Sequence, residues 1–312
     1  MNKKILITGG AGFQGSHLID YFSGLDCEVT ILNTFSEKNE GNLKGLNVMP
    51  RVVWGSVTDA EIVNKTIRGQ DVVLHLAAHI NVDESILNPK LTLDVNIQGT
   101  YNVLEAVRKH KNKLIHTSTC EVYGEPVNKK LIDEITELRP HSPYAASKAA
   151  ADRLCFAYFK TYGIDVTVIR PFNVFGPRQK EKDFGAFIPM SVKKAMDGQN
   201  LQVFGKGTQT RDYMYIDDLV RAYGLVVGLE KTAGEVYNFG TGVETSVKDI
   251  AEYIAKKFGV GVDYLPARPG EVARFCADIT KAKKLGFEPK INIWEGIDKY
   301  ILWRSQNSIQ ST

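Results

Sequence analysis

Short runs of β-branched and aliphatic residues recur through the first half of the chain, at Lys4–Thr8, Glu28–Leu32, Val52–Trp54, Val72–Leu76, Lys113–Thr117 and Val166–Arg170. Several are apolar at every position, the pattern of strands covered on both faces rather than on one. Stretches with helical periodicity lie between them, among them Leu91–Lys109 and Tyr144–Tyr162. Alternation of this kind predicts an α/β fold with a doubly wound parallel sheet and right-handed crossovers. After Pro171 the rhythm breaks: glycine and proline become frequent, and helical patterns such as Asp217–Leu229 and Val247–Phe258 are separated by irregular segments. The expected division is a first domain over residues 1–172 and a smaller C-terminal α/β substrate domain over 173–312. Part of 215–258, including Val236–Gly240, is expected to pack back on the first.

The first strand runs into Gly9-Gly10-Ala11-Gly12-Phe13-Gln14-Gly15, and a helical pattern starts at once with Ser16-His17-Leu18-Ile19. Glycines at 9, 12 and 15 allow a tight turn, close approach of the backbone to a pyrophosphate, and packing of helix against strand. The helix N-terminus then offers free N–H groups and the positive end of its dipole to the phosphates. A glycine pattern alone is weak, but one that follows a strand and opens a helix points to a Rossmann-type dinucleotide site. The second strand ends at Asn33, where such folds often place an acidic residue for the adenosine ribose. Asn33 can bond a hydroxyl but does not repel a 2′-phosphate, and Lys38 is close in sequence; NAD is expected over NADP.

Composition narrows the partners. Of 312 residues, 43% are hydrophobic and 24% charged, with 39 Lys and Arg against 36 Asp and Glu, so no basic excess asks for nucleic acid. The apolar run after Met1-Asn2-Lys3-Lys4 is too short for a signal peptide or a membrane span, and a cytoplasmic protein is expected. Four cysteines, Cys27, Cys120, Cys155 and Cys276, are scattered without a CxxC pair, and the six histidines share no ligand spacing, so no metal is expected.

Tyr144 and Lys148 stand at i and i+4, on one face of a helix that starts after Ser142-Pro143. A free phenol titrates near ~10, too high for a base at neutral pH, and a nearby ammonium together with an oxidised nicotinamide would stabilise the phenolate. Tyr253 and Lys257 repeat the spacing on what reads as an ordinary surface helix. Placement separates the two pairs, because Tyr144 and Lys148 follow a strand whose carboxyl end carries Ser118-Thr119-Cys120-Glu121, where open α/β sheets bind ligands.

With these segments in hand, the chain resembles the extended short-chain dehydrogenase/reductase family that acts on nucleotide sugars. The resemblance rests on Thr8–Gly15, His75-Leu76-Ala77-Ala78, Asn96–Thr100, Ser118–Gly124, Tyr144–Lys148, Phe172–Pro177, Arg211-Asp212-Tyr213, Arg268-Pro269-Gly270-Glu271 and Ala277-Asp278. These follow the family's order along nearly the whole chain. It departs from the family at Asn33 and Ser56, where aspartates are common, and at Gln14, where an aliphatic residue is usual. The resemblance implies that Tyr144 takes the proton of the sugar 4-hydroxyl, that Thr119 hydrogen-bonds that oxygen, and that Lys148 tunes Tyr144 and holds the nicotinamide ribose. It assigns the cofactor to Gly9, Gly12, Phe13, Gln14, Gly15, Asn33, Ser56, Val57, Leu76, Ala77 and Ala78, beside Tyr144 and Lys148. It assigns the nucleotide sugar to His79, Asn81, Val82, Asn173, Arg211, Arg268 and Glu271, and it implies a homodimer built on Leu91–Lys109 and Tyr144–Tyr162.

Cys120 and Glu121 bear on the reaction. A 4-keto sugar has an acidic C5 proton; a carboxylate can take it, and an acid near C6 can help the hydroxyl leave as water. The family's 4,6-dehydratases carry Thr-Asp-Glu where this chain has Thr119-Cys120-Glu121, and many 4-epimerases have small neutral residues there. The segment is most similar to the UDP-GlcNAc 5,6-dehydratases of tunicamycin biosynthesis. A nucleotide-sugar dehydratase, a lyase acting on a UDP-hexose, is therefore expected. A 4-epimerase, a UDP-hexuronate decarboxylase and a non-catalytic NAD-binding regulator stand as alternatives.

Overall fold

The computed structural model describes residues 2–125, 131–181, 186–267 and 272–308. Its first strands are β1 (Lys4–Thr8), β2 (Glu28–Asn33), β3 (Arg51–Trp54), β4 (Val72–His75), β5 (Lys113–Thr117) and β6 (Val166–Pro171). The later strands are β7 (Asn173–Phe175), β8 (Leu201–Phe204), β9 (Thr210–Tyr215), β10 (Val236–Phe239), β11 (Glu244–Ser246), β12 (Val262–Leu265) and β13 (Arg274–Phe275). Seven strands form one parallel sheet in the order β10-β6-β5-β4-β1-β2-β3. The order reverses between β1 and β4, so connections leave to opposite faces there and open a crevice at the strands' carboxyl ends.

Both faces are covered, as the unbroken apolar strands require. Ile5 and Ile7 pack with Leu18, Ile19 and Phe22 of the helix Phe13–Ser23, while Leu6 packs with Val103, Leu104 and Val107 of the helix Gly99–His110. The chain returns to this sheet after its excursion: β10 adds to β6, and the helix Ile216–Gly228 lies so close to the first helix that a Cβ on Gly224 would sit 2.2 Å from Tyr21 Oη. The second lobe is centred on β9, paired to β7, β11 and β13, with β8 and β12 forming a separate pair. The helices Phe187–Met196 and Val247–Phe258 pack against one another there.

The expected helix Leu91–Lys109 is interrupted. A short helix Pro89–Leu93, capped by Asn88, runs into a π turn at Asp94–Gln98 before the helix Gly99–His110. The cause is tertiary. Gly99 sits against Val57, where a Cβ would approach Cγ2 to 2.6 Å, and Asn96 turns inward to partners on two other segments, at His79 and Ser147. Wide turns of this kind recur at functional sites.

A polar layer runs through the interior beneath the crevice. His75 Nδ1 meets Thr8 Oγ1 at 2.7 Å and His75 Nε2 meets Thr100 Oγ1 at 3.0 Å. His116 stands beside His75 in register, wholly buried, with both ring nitrogens unpartnered. Burial, with Lys148 close by, pulls His75 down to about 3 and His116 well below its ordinary value, so both are neutral. Arg170 and Asp152, also fully buried, pair through two hydrogen bonds of 2.8 and 3.0 Å, and Arg170 reaches Tyr123 Oη at 2.8 Å. Tyr123 donates onward to Asn238 at 2.7 Å, which ties β6, β10 and the turn after β5 together.

Candidate active site

A single cavity of about 1080 Å³ lies along the crevice and continues between the lobes. Its floor at one end is the glycine turn. Gly9 is left-handed (φ 73°), and a Cβ on Gly15 would meet Gly9 O at 2.5 Å, so the loop has room only for glycine at both positions. Gly12 caps the helix Phe13–Ser23 without a side-chain bond, leaving the first N–H groups turned to the cavity that Gly9, Gly12, Phe13, Gln14 and Gly15 line. That is a cradle fit for a dinucleotide pyrophosphate. Asn33 also lines the cavity, but much of its amide serves the loop: Oδ1 accepts from Ala11 N–H at 3.1 Å and Nδ2 donates to Thr34 O at 2.9 Å. Ser56, Val57, Leu76, Ala77 and Ala78 continue the same wall. The Lys38 side chain, Arg268 and Glu271 lie outside the described residues.

Beyond β5 the chain turns into a short 3-10 helix, Cys120–Tyr123, capped by Thr119, whose hydroxyl accepts from Glu121 N–H at 3.3 Å. Ser142 caps the helix Pro143–Tyr162, accepting from Ala145 N–H at 3.1 Å, with Pro143 in its first turn. These caps bring Thr119, Cys120, Glu121, Tyr144 and Lys148 to one end of the cavity. The Thr119 hydroxyl lies beside both the Tyr144 phenol and the Cys120 thiol and favours the ionised form of each. Burial and then the Glu121 charge hold Tyr144 above its ordinary range. Burial and Glu121 likewise push the Cys120 thiol well up, with Arg211 opposing, so Cys120 is a thiol and not a thiolate. Glu121 is raised by burial, with Arg211 and His141 drawing it back.

Lys148 is 3% exposed, and burial lowers it to about 8. Its Nζ donates to the carbonyl of Thr117 at 2.6 Å, which fixes the ammonium at the end of β5 below the cavity. The look-alike pair behaves as a surface pair: Tyr253 Oη reaches Asp298 at 2.9 Å, Lys257 Nζ reaches the same carboxylate at 2.8 Å, and neither lines the cavity.

Of the residues assigned to the sugar nucleotide, His79, Asn81, Val82, Asn173 and Arg211 all line the cavity. Asn173 Oδ1 is buried without a partner, an acceptor that a ligand donor would satisfy. Arg211 lies over the Phe275 ring at 5.4 Å and donates to Thr210 O, while its neighbour Asp212 anchors Thr241, Gly242 and Ala277 backbone N–H groups. Asn81 spends its side chain on capping, accepting from Glu84 N–H at 3.0 Å. The structure adds groups that the motifs did not single out. Arg178, Lys180 and Lys194 place cations along the second lobe's wall, and Glu84 joins His79 on the first. Arg178 and Lys180 follow the Phe172–Pro177 motif directly, the one sequence signal for them.

Among the described residues no helix is long and apolar enough to cross a membrane, and no group of three His, Cys, Asp or Glu is placed to hold a metal.

Comparison with known proteins agrees with this geometry. The profile of the GDP-mannose 4,6 dehydratase family matches residues 6–300. The dTDP-glucose 4,6-dehydratase of Streptomyces niveus is 36% identical over 322 residues, covering 97% of this chain and 93% of that protein. The UDP-glucose 4-epimerase of Thermotoga maritima, solved with UDP-glucose, superimposes with a TM-score of 0.92 at 32% identity, covering 98% of this chain and 99% of that one. The dTDP-glucose 4,6-dehydratase DesIV of Streptomyces venezuelae, solved with NAD, gives a TM-score of 0.90 at 32% identity and 98% coverage of both chains. With its Rossmann-like parallel sheet and a family profile matched over most of its length, the chain belongs to the GDP-mannose 4,6 dehydratase family of the extended short-chain dehydrogenases/reductases, which includes nucleotide-sugar dehydratases and epimerases.

Proposed function

We propose that the protein is an NAD-dependent nucleotide-sugar dehydratase acting on a UDP-hexose. The observation that carries this reading is the placement of a thiol and a carboxylate, Cys120 and Glu121, in the same cavity as Thr119 and Tyr144. NAD, when bound on the glycine cradle, supplies the hydride acceptor that the oxidation needs. The site holds Tyr144 protonated, and the positive charge of an oxidised nicotinamide would let it ionise and take the proton of the sugar 4-hydroxyl, which Thr119 orients. The resulting ketone acidifies C5–H, which Glu121 removes. Cys120 gives its proton to the departing 6-hydroxyl, so water leaves across C5–C6; the proton on Glu121 then restores the thiol, and the hydride returns to C4 as Tyr144 gives its proton back to the 4-oxygen, which leaves no net redox change. The buried Lys148 keeps a positive charge below the site while Tyr144 is an anion.

The relatives named above favour one further reading, 4-epimerisation, in which the ketone turns over and hydride returns to its other face. Incubation with UDP-GlcNAc, UDP-glucose, dTDP-glucose and GDP-mannose in deuterated water separates the two. Loss of water together with the C5 hydrogen is expected; unchanged mass with inverted C4 would establish the epimerase. No turnover of any of the four would leave an NAD-binding regulator.

A homodimer accompanies this reading. Leu91, Tyr101 and Phe156 are 44%, 44% and 39% exposed on the helical segments expected to form the interface, a set of large apolar groups unusual for a solvated face. Sedimentation equilibrium should return twice the 34.7 kDa chain mass; a monomer at micromolar concentration would reject the dimer.

A further inference from the structure

Behind one wall of the cavity a chain of hydrogen bonds runs from His79 through Tyr144 to Ser85. The His79 backbone N–H donates to Asn96 Oδ1 at 2.7 Å, and Asn96 Nδ2 donates to His79 O at 3.1 Å and to Ser147 Oγ at 2.8 Å. Ser147 donates to the Tyr144 carbonyl at 2.7 Å, and Tyr144 N–H donates to Ser85 Oγ at 3.1 Å. Ser85 is bonded through the chain to Glu84, and the Glu84 carboxylate lies 3.1 Å from His79 Nε2. Thr92 Oγ1 holds the other ring nitrogen at 2.9 Å. The imidazole therefore has a polar neighbour on both sides.

The Glu84 side chain is 49% exposed and lines the same cavity as Thr119, Glu121 and Tyr144. We propose that Glu84, held in place by His79, selects the sugar: it accepts a hydrogen bond from a hydroxyl or acetamido N–H of the hexose and repels a hexose that carries a carboxylate. The proposal rests on the nucleotide-sugar reading above. It adds a substrate class to that reading, neutral hexoses with a donor on this edge, and excludes hexuronates. Because Glu84 and the Tyr144 backbone share one frame, a sugar seated on the carboxylate arrives at a fixed distance from the phenol.

Calorimetry on the NAD-loaded protein tests this, with UDP, UDP-glucose, UDP-GlcNAc and UDP-glucuronate as ligands and NAD binding as the check that each variant is folded. The wild type should bind the neutral sugars about tenfold or more tighter than UDP-glucuronate, as like-charge juxtaposition requires. In Glu84→Gln and Glu84→Ala that ratio should fall toward one, in Glu84→Gln chiefly through tighter UDP-glucuronate. A ratio equal to the wild type's in both folded variants, or no preference in the wild type, would overturn the role of Glu84. Failure of UDP itself to bind the wild type would overturn the UDP-sugar reading underneath and the proposal with it.

Discussion

Glu121→Gln is expected to abolish water loss while C4 oxidation continues, so that NADH absorbance rises and persists where the wild type shows no net change. The substitution keeps the side chain's size and removes the base. Loss of a positioned base costs about a hundredfold to ten-thousandfold in rate. The oxidising groups are left in place: Thr119 still caps the turn through the backbone N–H of residue 121, and Tyr144 keeps Thr119 as its neighbour. Removing the charge that helps hold Tyr144 up also makes the phenol a slightly better base, since Glu121 is the second cause of its raised range. The pH profile gives a second check. Burial lifts Glu121 above the ordinary carboxylate value, and the base must be ionised to work. Wild-type dehydration should therefore decline as pH falls through that raised value, earlier than an exposed glutamate would allow. The same limb should vanish from the residual rate of the variant. Unimpaired dehydration in Glu121→Gln would remove this carboxylate from the mechanism, and with it the ground for preferring a dehydratase over an epimerase.

The groups in that experiment differ in how openly the chain displays them. Thr119, Tyr144 and Lys148 were legible because each follows directly from a strand end or a helix start, and strands apolar at every position betray themselves. The spacing of Tyr144 and Lys148 was no guide alone, since Tyr253 and Lys257 share it; what differs is that Asp298 takes both members of the second pair. The protonation of Cys120 was illegible, because it depends on how deeply the turn is buried and on Arg211 and Asp212 from the other lobe. The π turn escaped for a similar reason. Its apolar positions fit an unbroken helix, and only the seat of Gly99 on Val57 and the long-range partners of Asn96 select the wider turn. Glu84 went unread because its significance arises from a pairing with His79 that no periodicity announces.

Lys148→Met should stop C4 oxidation and at the same time make the protein harder to unfold at neutral pH. The first effect follows from the site: the ammonium is a buried positive charge one helical turn from the base and lining the same cavity, and its loss should lower turnover about a hundredfold or more. The second follows from burial. Lys148 is 3% exposed and titrates at about 8 in the folded protein, against an ordinary value of 10.5. Below pH 8 the folded and unfolded chains both carry the charge, so its burial cost is present in full; 2.5 units correspond to about 3 kcal/mol. The bond to Thr117 O offsets part of that, and methionine leaves this carbonyl without its donor, so a net gain of about 1 kcal/mol is expected. Between pH 8 and 10.5 the unfolded chain binds a proton that the folded one has released, and wild-type stability should rise with pH relative to the variant. Urea unfolding of both proteins across that range isolates Lys148, because every other titrating group is common to the two. Crossing curves, with the variant ahead at pH 7 and the wild type ahead by pH 10.5, are the expected result, because the burial cost relieved over that range exceeds the variant's lead; parallel curves would mean that Lys148 titrates as an ordinary surface lysine. A residue that weakens the fold where it serves the reaction acts through its charge and not through packing, and this pair of measurements tells the two apart.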